Sequence, residues 1–271
     1  MALDPLDGGV FAWLQEPGGR GRANAGAIVD RDGVTVVDAL MTPDQSGPFA
    51  AAVEALGLPI RRLVLTTSGV EHTGGTGRFK LAAVYGSTQA SVHLDQPPNV
   101  ASWQALFPDH HDQLEDVVTR PVSHVVASDV QLTDAVAVLT TGGQMSENLV
   151  ALVPGAQILF AGAMCSFGVR PLCWQGDPAR WAAELDRLAE LAPIVVPGHG
   201  PIGGEEEIRV LQGYLRACAA ADGDVSRLPS GPWDGWRHRE HDVVNVERAA
   251  QLAAGDVDAV PPAMLRLAGL A

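Results

Sequence analysis

Apolar and polar positions along this chain fall into short blocks whose period changes several times. Ala25-Gly26-Ala27-Ile28-Val29, Val34-Thr35-Val36-Val37 and Leu63-Val64-Leu65-Thr66 are brief, rich in β-branched residues and free of charge, which predicts buried strands. Asp30-Arg31-Asp32-Gly33 separates the first two, and its Asp-Gly step marks a hairpin. Phe11 to Gln15 predicts an earlier strand, and Glu16-Pro17-Gly18-Gly19-Arg20-Gly21 a polar turn. After Asp38 the pattern loosens into a loop. Phe49 to Leu56 then reads as an alanine-rich helix stopped by Gly57. Ala82 to Tyr85 predicts one more strand.

The second half repeats this alternation. Val136 to Leu139, Leu149 to Val153, Gln157 to Ala161 and Ile194 to Val196 predict strands. Ala179 to Leu191 predicts a helix with Asp177 as N-cap and Pro178 at its first position. Its apolar residues Trp181, Leu185, Leu188 and Leu191 recur at helical spacing, so one face covers a sheet. Glu205 to Ala221 predicts another helix, and Val246 to Ala254 a later one that Pro261-Pro262 ends. Residues 86–128 are the least regular part, with a helix expected from His110 to Leu114 after Pro108. Strands with helices in both halves predict a layered α/β sandwich, two sheets face to face with helices outside. We expect one domain over 1–222 and a C-terminal helical tail over 223–271 packed on it.

The most informative stretch starts at the buried strand and runs on as Thr67-Ser68-Gly69-Val70-Glu71-His72-Thr73-Gly74-Gly75. It delivers an acid and an imidazole at a strand's carboxyl end, where α/β sheets hold their sites. Two later stretches echo it, Phe160-Ala161-Gly162-Ala163-Met164-Cys165 and Val195-Val196-Pro197-Gly198-His199-Gly200. In this order the three stretches resemble the metallo-β-lactamase-fold superfamily over roughly residues 10 to 220. That family carries His-x-His-x-Asp-His, then a lone His, then a bridging Asp, then Gly-His-Gly. Here Thr67 and Gly69 replace the first two histidines, Glu71 replaces the Asp, and His72 matches. Gln144 stands at the lone His, Ala163 at the bridging Asp, and Gly198-His199-Gly200 is intact. The resemblance implies a four-layer αββα sandwich of two mixed sheets.

The same resemblance implies a metal set of Glu71, His72 and His199, two imidazoles and a carboxylate, which is a known catalytic zinc set in other folds. Iron or manganese are the alternatives. A dinuclear centre is not expected, because Thr67, Gly69 and Gln144 are not usual ligands. The competing reading is a relic in which Glu71 and His72 merely hydrogen-bond to each other and to the loop. Residues 163 and 165 share a side on an extended segment, so Cys165 could approach the bridging position as a thiolate or sit as a small buried hydrophobe. Thr67, Ser68, Gln144 and Cys165 are the candidate substrate contacts. A triad of Ser68, His72 and Glu71 fails, since neighbours in one tight loop rarely fill separate orienting roles. His238 and His241 read as a solvated helix face.

Composition narrows the partners. A formal net charge of −14 argues against nucleic acid and anionic membranes, which need a basic face. Three cysteines without paired spacing argue against a disulfide framework. With no signal peptide or membrane span legible, the expectation is a cytoplasmic protein with a small-molecule substrate, compatible with a homo-oligomer. The function implied is hydrolysis of an ester, thioester, lactone or amide with at most one metal ion. The alternatives are a metal-free lyase, isomerase or cyclase, and a non-catalytic binding protein.

Overall fold

The computed structural model describes residues 2–15 and 17–270. Met1, Glu16 and Ala271, which fall in the predicted N-terminal segment, first turn and tail, lie outside the described residues.

The first half builds a seven-stranded sheet in the order β1-β2-β3-β4-β5-β6-β7. Its strands are β1 (Asp4–Pro5), β2 (Val10–Trp13), β3 (Ala25–Asp30), β4 (Gly33–Val37), β5 (Ile60–Val64), β6 (Ala83–Gly86) and β7 (His124–Val125). Antiparallel pairing runs from β1 to β4 and parallel pairing from β4 to β7. The predicted Asp-Gly hairpin joins β3 to β4, with Asp30 opposite Gly33. The second sheet has five strands in the order β12-β11-β10-β9-β8. These are β8 (Val130–Gln131), β9 (Ala137–Thr141), β10 (Asn148–Val153), β11 (Ile158–Ser166) and β12 (Ile194–His199). Only β11 and β12 pair in parallel there.

Three apolar layers explain why the sheets stack. Val10, Ile28, Val37 and Val64 of one sheet meet Leu149, Ala151, Phe160 and Val196 of the other. The outer face of the first sheet is covered through Phe49 and Val53 of α1 (Pro43–Glu54). The outer face of the second packs under α5 (Pro178–Ala189) and α6 (Glu205–Ala220), with Trp181, Leu185, Leu188, Leu211 and Leu215 pointing inward. Each face is apolar because it is covered, so the αββα order follows from burial. Asp177 caps α5 as expected, accepting hydrogen bonds from the N–H groups of Ala179 and Arg180.

Four expectations change. Helix α1 begins at Pro43, six positions before the predicted start, because Thr42 and Gln45 open it and Pro43 takes the first helical position. The region after residue 86 holds α3 (Thr88–Leu94) and α4 (Val100–Leu106), whereas short α2 (Val70–Thr73) follows β5. The helix expected from His110 to Leu114 is instead two 3₁₀ turns, Pro108–His110 and Asp112–Asp116. Beyond α7 (His241–Ala253), Pro262 starts α8 (Pro262–Leu267) rather than closing a helix, since proline suits a first helical turn. No helix among the described residues is long and apolar enough to cross a membrane.

One glycine ties the two sheets together at the edge where the site lies. Register shifts on β11 flank Gly162, whose φ is +50°. A methyl group there would come within 2.1 Å of the Thr66 hydroxyl oxygen that follows β5. Gly162→Ala is therefore expected to cost about 2 kcal/mol, from a left-handed backbone and an overpacked contact. A urea midpoint equal to wild type would show that the rim relaxes freely.

Candidate active site

The carboxyl ends of the parallel strands converge on one cavity of about 480 Å³. Thr67 to Thr73 enter it from β5 and α2, Ala163 and Ser166 from β11, and His199 from the end of β12. Segments α3 and α4 form the opposite wall, contributing His93, Pro97, Trp103, Leu106 and Phe107.

At the floor, His72 is almost fully enclosed, 3% exposed, and its Nδ1 lies 2.7 Å from Oδ2 of Asp38. Asp38 itself is 1% exposed and accepts from the Thr66 N–H at 2.8 Å and the Thr66 hydroxyl at 2.7 Å. It follows β4 directly and holds a left-handed backbone with φ +60°, a conformation non-glycine residues rarely adopt. The carboxylate fixes Nδ1 as the protonated nitrogen, which turns Nε2 of His72 toward the cavity. Burial alone would depress the His72 pKa, but the charge and hydrogen bond of Asp38, helped by Glu71, outweigh it and leave the pKa raised.

The imidazole of His199 stands edge-on to that of His72, centroids 5.8 Å apart at 85°. Its Nδ1 is buried without a hydrogen-bond partner. Burial lowers its pKa, Glu71 works in the opposite direction and His72 adds to the lowering. A neutral His199 beside a more basic His72 is thus the favoured pairing.

Glu71 lines the same cavity, but its Oε1 is held by the backbone N–H of Gly21. The ligand atoms of Glu71, His72 and His199 do not all close to within 4.8 Å of one another. Around them Thr67, Gly69, Gln144 and Ala163 offer no imidazole, thiolate or carboxylate. For a single ion two imidazoles are in place, and the carboxylate is turned to the backbone instead.

The remaining candidates divide. Thr67 donates from its hydroxyl to Gln144 Oε1 at 3.3 Å, and Asn148 Nδ2 donates to the same oxygen at 3.0 Å. Both Thr67 and Gln144 line the cavity. Ser68 lines it too, with its hydroxyl 2.8 Å from Nδ1 of His93. Cys165 does not belong to the site. It is 0% exposed within the apolar layer under α5, among Met164, Cys173 and Trp181. The simple alternation that would put residues 163 and 165 on one side is broken by the register shifts around Gly162, so Ala163 and Ser166 face the cavity instead. Burial pushes the Cys165 thiol pKa far up, which removes the thiolate reading.

Three contributors lie outside the predicted site residues. Asp38 could have been found, as an acid set directly after a buried strand at a sheet's carboxyl edge. His93 gives no such signal, since only folding brings it to Ser68. His241, read as solvated, is 2% exposed and lines the cavity, with Nδ1 donating to the Arg170 carbonyl at 2.9 Å. Burial, with that carbonyl working the other way, pushes its pKa down to about 4. It is neutral when folded and protonates when unfolded in mild acid, so its burial costs nothing above about pH 6.5 and progressively more below it. From that one group we expect stability to fall by about 3 kcal/mol between pH 7 and pH 4. His241→Asn keeps a donor for Arg170 and should flatten that part of the curve, which urea unfolding at several pH values measures.

No protein-family model matches the chain, and no curated protein matches it in sequence. Solved structures do match. The DIM-1 metallo-β-lactamase is 17% identical with a TM-score of 0.62, covering 79% of this chain and 96% of its own. FIM-1 from Pseudomonas aeruginosa, solved in a mono-zinc form, is 17% identical with a TM-score of 0.63, covering 84% and 96%. A metallo-β-lactamase from Pontibacter korlensis is 16% identical with a TM-score of 0.62, covering 79% and 98%.

Proposed function

This chain has the metallo-β-lactamase fold, and we propose that it is a hydrolase-like enzyme acting on a small ester, thioester, lactone or amide with at most one metal ion. The observation that carries the reading is the floor of the cavity, where His72 is fixed by buried Asp38 and faces His199 at 5.8 Å. The buried carboxylate holds that imidazole in one tautomer and one direction, as an acid–base group at a cavity floor requires.

Were an ion bound, His72 and His199 would hold it, and it would supply Lewis acidity and a more acidic water. With Nδ1 held by Asp38, the one free nitrogen of His72 serves either as that ligand or as a base, and without an ion it is the base. Asp38 sets the tautomer of His72, so Nε2 can take a proton from an attacking water and return it to the leaving group. His199 offers a neutral imidazole beside the developing charge. Trp103, Phe107, Leu172 and Trp174 give the outer cavity an apolar wall, which suits a substrate with an apolar body and one reactive carbonyl. All three cysteines are free and buried, which supports a reducing compartment such as the cytoplasm.

A second reading has its own observation, the 2.8 Å contact between the Ser68 hydroxyl and His93. There His93 would accept the hydroxyl proton as Ser68 attacks the carbonyl and pass it to the departing alcohol, thiol or amine as its bond to the acyl carbon breaks, leaving an acyl-serine that water then cleaves to the acid and free Ser68. The test for both is turnover of an ester, thioester and lactone panel by the purified protein, its metal content measured in parallel. Loss of turnover in His72→Ala with retention in Ser68→Ala supports the first reading. The opposite pattern supports the second. No turnover on any member would sink both.

A further inference from the structure

Outside the floor of the cavity, the C-terminal segment gathers a second set of donors. One ligand atom each from His238, Glu240 and His241 lies within 4.8 Å of the other two, and no other such group of three occurs among the described residues. His238 Nδ1 is 2.9 Å from Glu240 Oε1. The donor types, two imidazoles and one carboxylate, are those of a catalytic zinc site with one position left open.

His241 supplies the independent observation. A carbonyl can only accept, so Nδ1 of His241, 2.9 Å from the Arg170 carbonyl, must carry the ring proton. Nε2 then holds an unshared pair, and it is buried with no partner in a side chain only 2% exposed. An imidazole anchored through one nitrogen by a carbonyl, with the other free, is the arrangement of a metal-bound histidine. Leaving such a nitrogen unsatisfied is otherwise costly.

The surroundings leave room for the third ligand. The His238 ring lies over Gly19, where a methyl group would come within 2.7 Å of its Nε2. His238 holds a left-handed backbone with φ +61°, which places its side chain back against His241. The two rings are stacked at 5.1 Å and 13°, so their nitrogens lie side by side rather than converging. His238 is the half-buried partner, so reaching the spacing of about 3.3 Å that 2.0–2.1 Å bonds require would fall to rotation of its side chain. Arg170, whose carbonyl holds His241, has its own charge paired with Asp242 at 2.6 Å.

We propose that His238, Glu240 and His241 form a binding site for one divalent transition metal of the zinc class, set in the wall of the cavity that His72 and His199 floor. His241 belongs to both the trio and the cavity lining, so the trio adjoins that cavity through this one side chain. The proposal does not depend on the hydrolase reading.

The experiment is direct titration of the chelator-stripped, full-length protein with Co²⁺ and with Zn²⁺ alone, followed by visible absorption and calorimetry. Wild type is expected to bind one ion. His238→Ala and Glu240→Gln alter partly or fully exposed side chains, so both should fold, as circular dichroism checks. Each should weaken binding by about 10-fold or more. Unchanged affinity in His238→Ala and Glu240→Gln would overturn the proposal. So would an ion lost from His72→Ala or His199→Ala but kept in His238→Ala, or a wild type that binds none.

Discussion

His72→Ala is expected to lower kcat/KM on the best substrate of the panel by about 10²–10⁴-fold, the usual contribution of a positioned acid or base. The expectation rests on how completely this side chain is committed. Its Nδ1 is taken by Asp38 and its ring is buried, so neither water nor a neighbouring group can replace it. A cavity variant at this position also removes a buried charge partner, so a folding control is needed. His72→Gln retains part of the volume and some polarity, and should show the same kinetic loss with a smaller change in stability. The pH profile separates the roles. The raised His72 pKa should appear as a limb that moves to lower pH in Asp38→Asn. Turnover within threefold of wild type in both His72 variants would remove His72 from the reaction.

Asp38→Ala should destabilise the fold by roughly 3–5 kcal/mol, the cost of breaking a buried hydrogen-bonded pair from one side. Three groups lose their acceptor together: the Thr66 N–H, the Thr66 hydroxyl and Nδ1 of His72. Asp38→Asn keeps the shape and should lose less. It also carries a pH signature with a definite sign. Because the folded His72 pKa is raised, its stabilising contribution is fully present below the unfolded value of about 6.5 and fades as pH rises through the folded value. The deficit of Asp38→Asn against wild type should therefore be larger at pH 5.5 than at pH 9. Urea unfolding at both values measures it, and a pH-independent deficit would mean that the pair contributes only by packing.

The sequence carried most of the architecture. Uncharged β-branched runs became strands, the Asp-Gly step became the β3–β4 hairpin, and Asp177-Pro178 opened α5 as read. These features are local, so short windows reveal them. Proline was less transparent. Pro48 lies inside α1, and Pro262 begins α8, because the same residue can end a helix or occupy its first turn. The cavity wall from 86 to 128 was also illegible, since it is built from short turns and helices with little periodicity.

The site divides along the same line. By itself the chain determined that an acid-histidine pair and a Gly-His-Gly would sit at the carboxyl ends of buried strands, because hydrophobic patterning fixes which residues end at a sheet's rim. Which of them act together was decided in three dimensions. Glu71 turned to the backbone of Gly21, Asp38 took the place of partner to His72, and Cys165 went into the core when β11 shifted register. His93 reached Ser68, and His241 reached the cavity from some 40 residues beyond the last strand-borne motif. Side-chain partnership depends on distances between segments far apart in the chain, and only the packed sheets set those distances.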